Sequence, residues 1–512
     1  MTLLLPERKR VAHPPKRDPM LRRAILASAV GNATEWYDYG VYAVVATYLT
    51  GAFFPGEFGS LGTMLGFAVS FVLRPLGGMV WGPIGDRFGR KSVLTATILL
   101  IALATTLIGL LPTFAMAGWW APGLLIALRI VQGFSTGGEY GGAATFMAEH
   151  SPDDKRGRYG SFLEFGALAG FMAGSAVVLG LESLLSTEQM ADWGWRVPFL
   201  IALPLGGVGL VLRSTMTETP VFAECAAVDA ITGSARDRLV DLLTNYTRPI
   251  AVMFVLVSAL GFIDYTLTTY QPTYLHATAG LDERSRTTVM LVGELVMMLC
   301  IPFAGAWSDR IGRKPLWRMS LLGMVFLALP MYWLMGRGVT YALIGFVVLS
   351  VLLAAPLGTV PAMFPAMFPT QVRYAGFAIA DNAGIALFGG TAPIIADTVI
   401  LKTGWGLFPA IGLMLAAVAG LVALRFAPET AGCSLRGTDT PGVQSELMRE
   451  LESLIAGRRR PEVWAVDRYV RPWVRGDDAG SRVPQLPGVV GPRIRSVPRS
   501  CAERAPVAAE RA

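Results

Sequence analysis

Apolar stretches of about 20 residues recur along this chain, each long enough to cross a hydrocarbon layer as a helix rising 1.5 Å per residue. In lipid the backbone N–H and C=O groups must bond within the chain, so such stretches fold as helices rather than as open sheets. Of 512 residues, 53% are hydrophobic and 16% charged, whereas soluble domains average about 25% charged. The expected class is an all-α polytopic membrane protein. Twelve spans can be laid out, at about 22–50, 60–84, 92–112, 119–148, 160–184, 195–213, 249–276, 287–307, 316–336, 340–368, 375–401 and 405–427. The fourth and tenth are long, and either tilt or end outside the hydrocarbon.

The short loops set the orientation. Lys and Arg gather in GDRFGRK (85–91), SPDDKRGR (151–158), SDRIGRK (308–314) and PTQVR (369–373), while the alternate loops, such as LPTFAMAGWW, are almost free of them. By the positive-inside rule every even-numbered span ends in the cytoplasm, and both termini lie there. Arg22 and Arg23 precede the first span, but no small-residue cleavage site follows cleanly, so the first helix is expected to be retained.

Two loops repeat. Asp86 and Asp309 hold the same place in GDRFGRK and SDRIGRK, 309 − 86 = 223 residues apart. Arg156 and Arg373 each follow a proline by four residues, Pro152 and Pro369, at an offset of 373 − 156 = 217. The chain therefore reads as two copies of a six-helix unit, a duplication typical of secondary transporters, with the substrate path between the halves. The expected division is a cytoplasmic segment 1–21, a first half 22–213, a cytoplasmic linker 214–248, a second half 249–427 and a cytoplasmic tail 428–512. In the tail, Leu447, Leu451 and Leu454 fit one short amphipathic helix over 444–457. The remainder has no apolar periodicity and reads as unstructured, solvated or resting on anionic lipid.

Several functions are excluded. The four cysteines, Cys225, Cys300, Cys433 and Cys501, form no CxxC pair, and three histidines supply no rich metal site. Walker A, HExxH and nucleophile-elbow motifs are missing. The expectation is no enzyme, no catalytic residue, no cofactor or metal and no nucleic-acid partner. The expected surroundings are the lipid bilayer of a bacterial cytoplasmic membrane, with one chain acting alone.

Charges inside the spans are expensive and mark function. In span one Glu35, Asp38, Tyr39 and Tyr42 fall at i, i+3, i+4 and i+7, on one helix face. In span four Arg129, Gln132, Thr136 and Glu139 share a broad stripe, and Arg74 lies about 15 Å deep in span two. These faces should line a central cavity and partly pair with one another. A carboxylate there can load and release a proton as its desolvation and its arginine neighbour change. Glu35, Asp38, Arg74, Arg129 and Glu139 are the candidates for proton coupling. The alternative is that they fix helix packing through buried ion pairs. In the second half Asp264, Glu294 and Asp381 are candidates for substrate contact, with Glu294 expected near the outer end of its span. Glu164 is expected to bond the cytoplasmic loops.

The repeated loop has its own expected task. Gly85 and Gly89 permit tight turns beside Asp86, Arg87 and Arg90, and the second copy supplies Asp309, Arg310 and Arg313. These residues can latch neighbouring helix ends in one conformation and release them in another. The alternative is a topological signal alone. Gly166, Gly170 and Gly174, every fourth position of span five, predict close helix contact.

GDRFGRK and SDRIGRK resemble the signature of the major facilitator superfamily. Arg129, Gly133 and Gly137 in RIVQGFSTGGEYGG (129–142) resemble its fourth-helix motif, whose arginine the resemblance associates with proton coupling. GNATEWYDYGVY (31–42), RPLGG (74–78), GFSTGGEYGGA (133–143) and DWGWRVPF (192–199) are similar to the metabolite:proton symporter branch. FLIALPLG (199–206), ETPVF (218–222), TYQPTYL (269–275) and PAMFPTQVRY (365–374) most resemble its proline/betaine transporters, and the likeness covers about residues 20–435. It implies the major facilitator fold and proton-coupled import of a small zwitterionic compatible solute. An organic acid such as 2-oxoglutarate or shikimate is the alternative substrate, and a non-transporting membrane sensor a further one. Span five lacks the glycine–proline pattern of the superfamily's drug–proton antiporters, which favours symport. The implied substrate is a zwitterion, whose ammonium suits aromatic faces. Trp36, Tyr37, Tyr39, Tyr42, Tyr140, Tyr265 and Tyr270 supply these near midspan, with packing or interface anchoring the alternative for each one, and dicarboxylates should be disfavoured. Two features depart from the pattern: the tail has no long heptad run for a coiled coil, and Asp264, Glu294 and Asp381 are acidic where uncharged residues are expected.

Overall fold

The computed structural model describes residues 19–54, 59–227, 234–436 and 440–441. The helix expected over 444–457 and the tail beyond it lie outside these residues. The long helices are α1 (Pro19–Phe53), α2 (Gly59–Phe88), α3 (Arg90–Leu110), α4 (Trp120–His150), α5 (Arg156–Leu184) and α6 (Arg196–Ser214), then α7 (Thr247–Ala277), α8 (Glu283–Ile311), α9 (Arg313–Met335), α10 (Val339–Met363), α11 (Arg373–Thr403) and α12 (Phe408–Leu424). Among the described residues there is no strand. Eight of these helices are apolar enough to cross a membrane by length and composition alone. Of the other four, α1, α2 and α4 carry the central charges and α12 is short. The tenth helix ends at Met363 rather than near 368, because Pro365–Met367 forms a tighter 3-10 turn. The polar linker holds two short helices, Pro220–Ala227 and Ala235–Asn245. In the second, Arg238 donates 2.9 Å to the carbonyl of Gln371 and so braces the start of α11.

Small residues decide which helices touch. A Cβ added to Gly166, Gly170 or Gly174 of α5 would lie 2.4, 2.1 or 2.5 Å from the carbonyl oxygens of Ala29, Ala33 and Tyr37. The glycine row therefore seats α1, and fixes where Glu35 and Asp38 face. Gly133 and Gly137 of α4 do the same against α2, where a Cβ would meet the carbonyl oxygens of Ser70 and Arg74 at 2.1 Å each. The two glycines of the arginine motif thus bring Arg74 beside α4.

Contacts between the first six and last six helices concentrate on two pairs, α2 with α11 and α5 with α8. Gly82 packs with its Cβ position 2.6 Å from Ala375 Cα, and Gly157 and Gly305 each face the other's carbonyl oxygen at 2.4 Å. Helices α7 and α11 each contain one π-helical turn, Thr266–Tyr270 and Ile385–Gly389. In α11 the wider turn is closed by a bond from Gly390 N to the Ile385 carbonyl, 3.0 Å. Such turns gather at functional sites, and these two follow directly on Tyr265 and close after Asp381.

Candidate functional site

A small cavity of about 50 Å³ lies between the two sets of helices and is lined by residues of both. The first half contributes Trp36, Arg74, Tyr140 and Glu164. The second contributes Asp264, Tyr265 and Asp381, with Val257, Leu260, Gly261, Val360 and Ile385 as the apolar part of the wall. Its charged lining is one arginine against three carboxylates, and the arginine already faces a fourth: Arg74 Nη2 is 3.5 Å from Glu35 Oε1.

Arg74 is held from both sides. Its Nε donates to Asn382 Oδ1 at 3.2 Å. Asn382 in turn donates to the carbonyls of Gly137, 2.8 Å, and Ala378, 2.7 Å, so one amide joins α2, α4 and α11. Nothing in the sequence reading singled out Asn382. Its signal was a pair of polar residues, Asp381–Asn382, in the middle of an apolar span.

A second buried pair lies one turn further along α1. Arg129 Nη1 donates to Asp38 Oδ2 at 2.7 Å and to Gln132 Oε1 at 2.8 Å. Gln132 Nε2 donates to Asp38 Oδ1 at 2.9 Å and to Thr105 at 2.7 Å. The guanidinium of Arg129 sits 3.9 Å over the ring of Tyr42 and 6.0 Å from that of Tyr39. Tyr39 and Tyr42, expected to meet substrate, are not in the cavity lining and serve this pair instead; Tyr39 also packs, tilted, between Trp36, 5.6 Å, and Phe71, 5.4 Å.

The structure corrects four further assignments. Glu139 does not join Asp38 and Arg129. It faces α6, where Arg213 donates to both its oxygens, at 3.0 Å for Oε2, and Thr97 donates 2.5 Å. It lies ten residues from Arg129, about 15 Å along α4. Glu164 is on the cavity, not at the loops, and accepts the Tyr140 hydroxyl. Tyr270 is buried in the apolar core of the second half instead of on the cavity. Glu294, eleven residues into the 29-residue α8 and nearer its start than its end, is buried off the cavity wall instead of on it.

The two repeated loops close the basic end. Asp86 accepts the backbone N–H groups of Tyr374, 3.2 Å, and Ala375, 2.9 Å, at the start of α11. Asp309 accepts those of Gly157 and Arg158, both 2.8 Å, at the start of α5. Each carboxylate therefore caps the first turn of a helix from the opposite half, where free N–H groups and the helix dipole favour negative charge. Arg90 lies 3.3 Å from Asp86 and Arg313 2.6 Å from Asp309. Gly85 lets Tyr374 pack on α2, where a Cβ would meet its ring at 2.2 Å, and Gly89, with Gly312 as its copy, turns the chain at φ +100°. Arg87 and Arg310 are exposed and leave the latch, because one residue further along a helix points about 100° away.

Around the first latch lies a buried network that the sequence reading missed. Glu149 accepts from Arg90 at 3.2 Å, from Arg373 at 2.6 Å and from Thr219 at 2.5 Å. The segment after α12 is wedged into the same end. Arg373 donates to the Leu435 carbonyl and Arg156 to that of Cys433, both 3.0 Å.

A family model described as the Major Facilitator Superfamily matches residues 29–380. The ectoine/proline transporter ProP of Corynebacterium glutamicum is 41% identical over 445 residues, covering 83% of this chain and 87% of that one. The glycine betaine/proline/ectoine/pipecolic acid transporter OusA of Dickeya dadantii is 38% identical, covering 85% and 89%. The solved structure of the proton:xylose symporter XylE bound to 6-bromo-6-deoxy-D-glucose superposes with a TM-score of 0.68 at 17% identity, over 84% of this chain and 99% of that one. At that identity the likeness concerns the fold alone.

Proposed function

The chain belongs to the major facilitator superfamily of multi-pass membrane transporters, not enzymes, and on that premise we propose that it imports a small zwitterionic compatible solute, such as proline or glycine betaine, by proton symport. The carrying observation is the cavity itself: both halves build it, and its lining offers charge of both signs to a small molecule. The names of the similar transporters, which print proline, ectoine and glycine betaine, support the solute class. An organic dianion finds one arginine there, already facing Glu35, against three further carboxylates.

In this reading Asp38 is the proton site. Arg129 and Gln132 satisfy its charged form, and a shift of α1 against α4 that breaks the 2.7 Å bond leaves a desolvated carboxylate that takes a proton. Arg74 meets the substrate, with Glu35 facing it from α1. The latches at Asp86 and Asp309 hold the basic end shut, and their release opens the cavity to that side, which is the cytoplasmic one with both termini in it. The cavity lies within one chain, so one copy suffices.

The test is uptake of labelled proline into vesicles containing the purified protein, with external pH recorded. Symport predicts alkalinisation outside on adding substrate, and accumulation that follows the imposed proton gradient. Uptake without proton movement or gradient dependence overturns it. Asp38→Asn should abolish accumulation while substrate exchange survives. Equal loss of both, at normal membrane levels, assigns Asp38 to packing or binding instead.

A further inference from the structure

We infer that the cationic pole of the transported solute carries N–H groups, which Asp381 accepts, while its carboxylate goes to Arg74, so that the cavity selects N–H-bearing zwitterions over quaternary ammonium ones. The inference rests on the reading of this cavity as the substrate site.

Three buried groups on its wall are left unfinished: Asp381, Arg74 and the Tyr265 hydroxyl, which has no hydrogen-bond partner among the described residues. Asp381 is 2% exposed, and its Oδ2 has no hydrogen-bond partner among the described residues. Arg74 is 1% exposed. Its Nε is taken by Asn382 and its Nη2 faces Glu35, but Nη1 has no partner among the described residues. Buried polar groups are nearly always paired, so an orphan acceptor and an orphan donor on one cavity wall call for an explanation. A ligand with a carboxylate at one end and an N–H group at the other completes both.

A quaternary ammonium cannot. It has no proton to give Asp381, and it is held best by open aromatic faces. Here the nearby rings are engaged with one another. Trp36 tilts on Tyr39, Tyr39 on Phe71 at 5.4 Å, and Phe71 meets Tyr265 edge-on at 5.8 Å. The guanidinium of Arg74 lies 5.7 Å from the Phe71 ring. Tyr140 packs on Phe377 at 5.6 Å and spends its hydroxyl on Glu164. Carboxylates, not a ring cage, are what the cavity presents to a cation. A site built to bond an N–H rejects an analogue lacking it more strongly than size alone predicts, because its own polar group stays unpaired.

The experiment is competition against labelled proline in vesicles holding the full-length protein. The competitors are proline, N-methylproline and N,N-dimethylproline, one ring with two, one and no N–H groups on the ammonium. The expected result is an inhibition constant at least tenfold higher for the last than for the first, with the step reduced to threefold or less in Asp381→Ala. The wild-type series stands as a test even where that variant does not reach the membrane. Equal competition by all three overturns the inference and leaves compatible-solute transport intact. Uptake of glycine betaine with none of proline also overturns it. If no zwitterion is taken up or competes, the reading of the cavity falls, and the inference with it.

Discussion

The loop after α2 and the loop after α8 are copies in sequence, yet they close differently. Each presents an aspartate to the first turn of a helix in the opposite half, and each has a buried arginine four residues on. The difference is in what satisfies the arginine that opens the capped helix. At the first latch, Arg373 of α11 meets Glu149, which Arg90 also shares, with every side chain in the trio fully buried. At the second, the repeat offset carries position 149 to 366, which is alanine. Arg156 of α5 meets Asp153 at 2.5 Å, a side chain 46% exposed, and the carbonyl of Cys433. Ala366 packs against Cys433 and Leu435, so the small residue leaves room for the segment after α12. Both arginines also meet a carbonyl of the chain's return across the basic end, but the carboxylate of the first latch is fully buried and that of the second is half in water. Two copies of a motif can thus share geometry and differ in strength.

The sharpest way to break the first latch is Glu149→Ala. It leaves two buried guanidinium groups without their carboxylate, and breaking a buried pair costs about 3–5 kcal/mol. The expected outcome is a large fall in melting temperature of the purified protein and in its membrane level. Next comes a stop after residue 431. It removes the carbonyls of Cys433 and Leu435 from Arg156 and Arg373, a loss of about 2 kcal/mol once water has partly replaced them. A stop after residue 457 should change neither stability nor basal transport, and the pair of truncations measured side by side locates the effect. Neutralising the caps gives a smaller change. Asp86→Asn should favour the state open at the basic end by about 1–2 kcal/mol, and Asp309→Asn by less, since the Asp86 side chain is 0% exposed and that of Asp309 7%. Labelling of a cysteine introduced on the basic-side cavity wall reads this as a rate. Asp153→Ala should be the mildest, within about 1 kcal/mol, because Asp153 is half in water and the buried Arg156 keeps the carbonyls of Ala148 and Cys433. A Glu149-sized effect from Asp153→Ala would erase the proposed asymmetry.

Much of this architecture is legible from local pattern. Spans follow from runs of apolar residues, and duplication from two offsets. Glu35, Asp38, Arg74 and Arg129 stand out because charge in an apolar run is rare. Glu139 was legible as buried but misassigned. Helical spacing puts it in the stripe of Arg129, yet its partner Arg213 comes from a different helix 74 residues away. Glu149 was missed because it sits at a span end, where a carboxylate looks solvated. Asn382 was missed because an amide carries no charge to mark it.

The helices, their order, the repeat and the side chains that had to leave the lipid are all local features of the chain, because each follows from periodicity and the cost of a polar group in hydrocarbon. The pairings arise in three dimensions: Arg129 with Asp38 and Arg213 with Glu139, Glu164 on the cavity instead of at the loops, and Arg74 joined to α11 through Asn382. Helix spacing fixes the direction of a side chain around its own axis. Which axis stands opposite depends on where glycines such as Gly133, Gly137 and Gly170 let two backbones approach, and that is a property of pairs of helices that no single stretch of sequence contains.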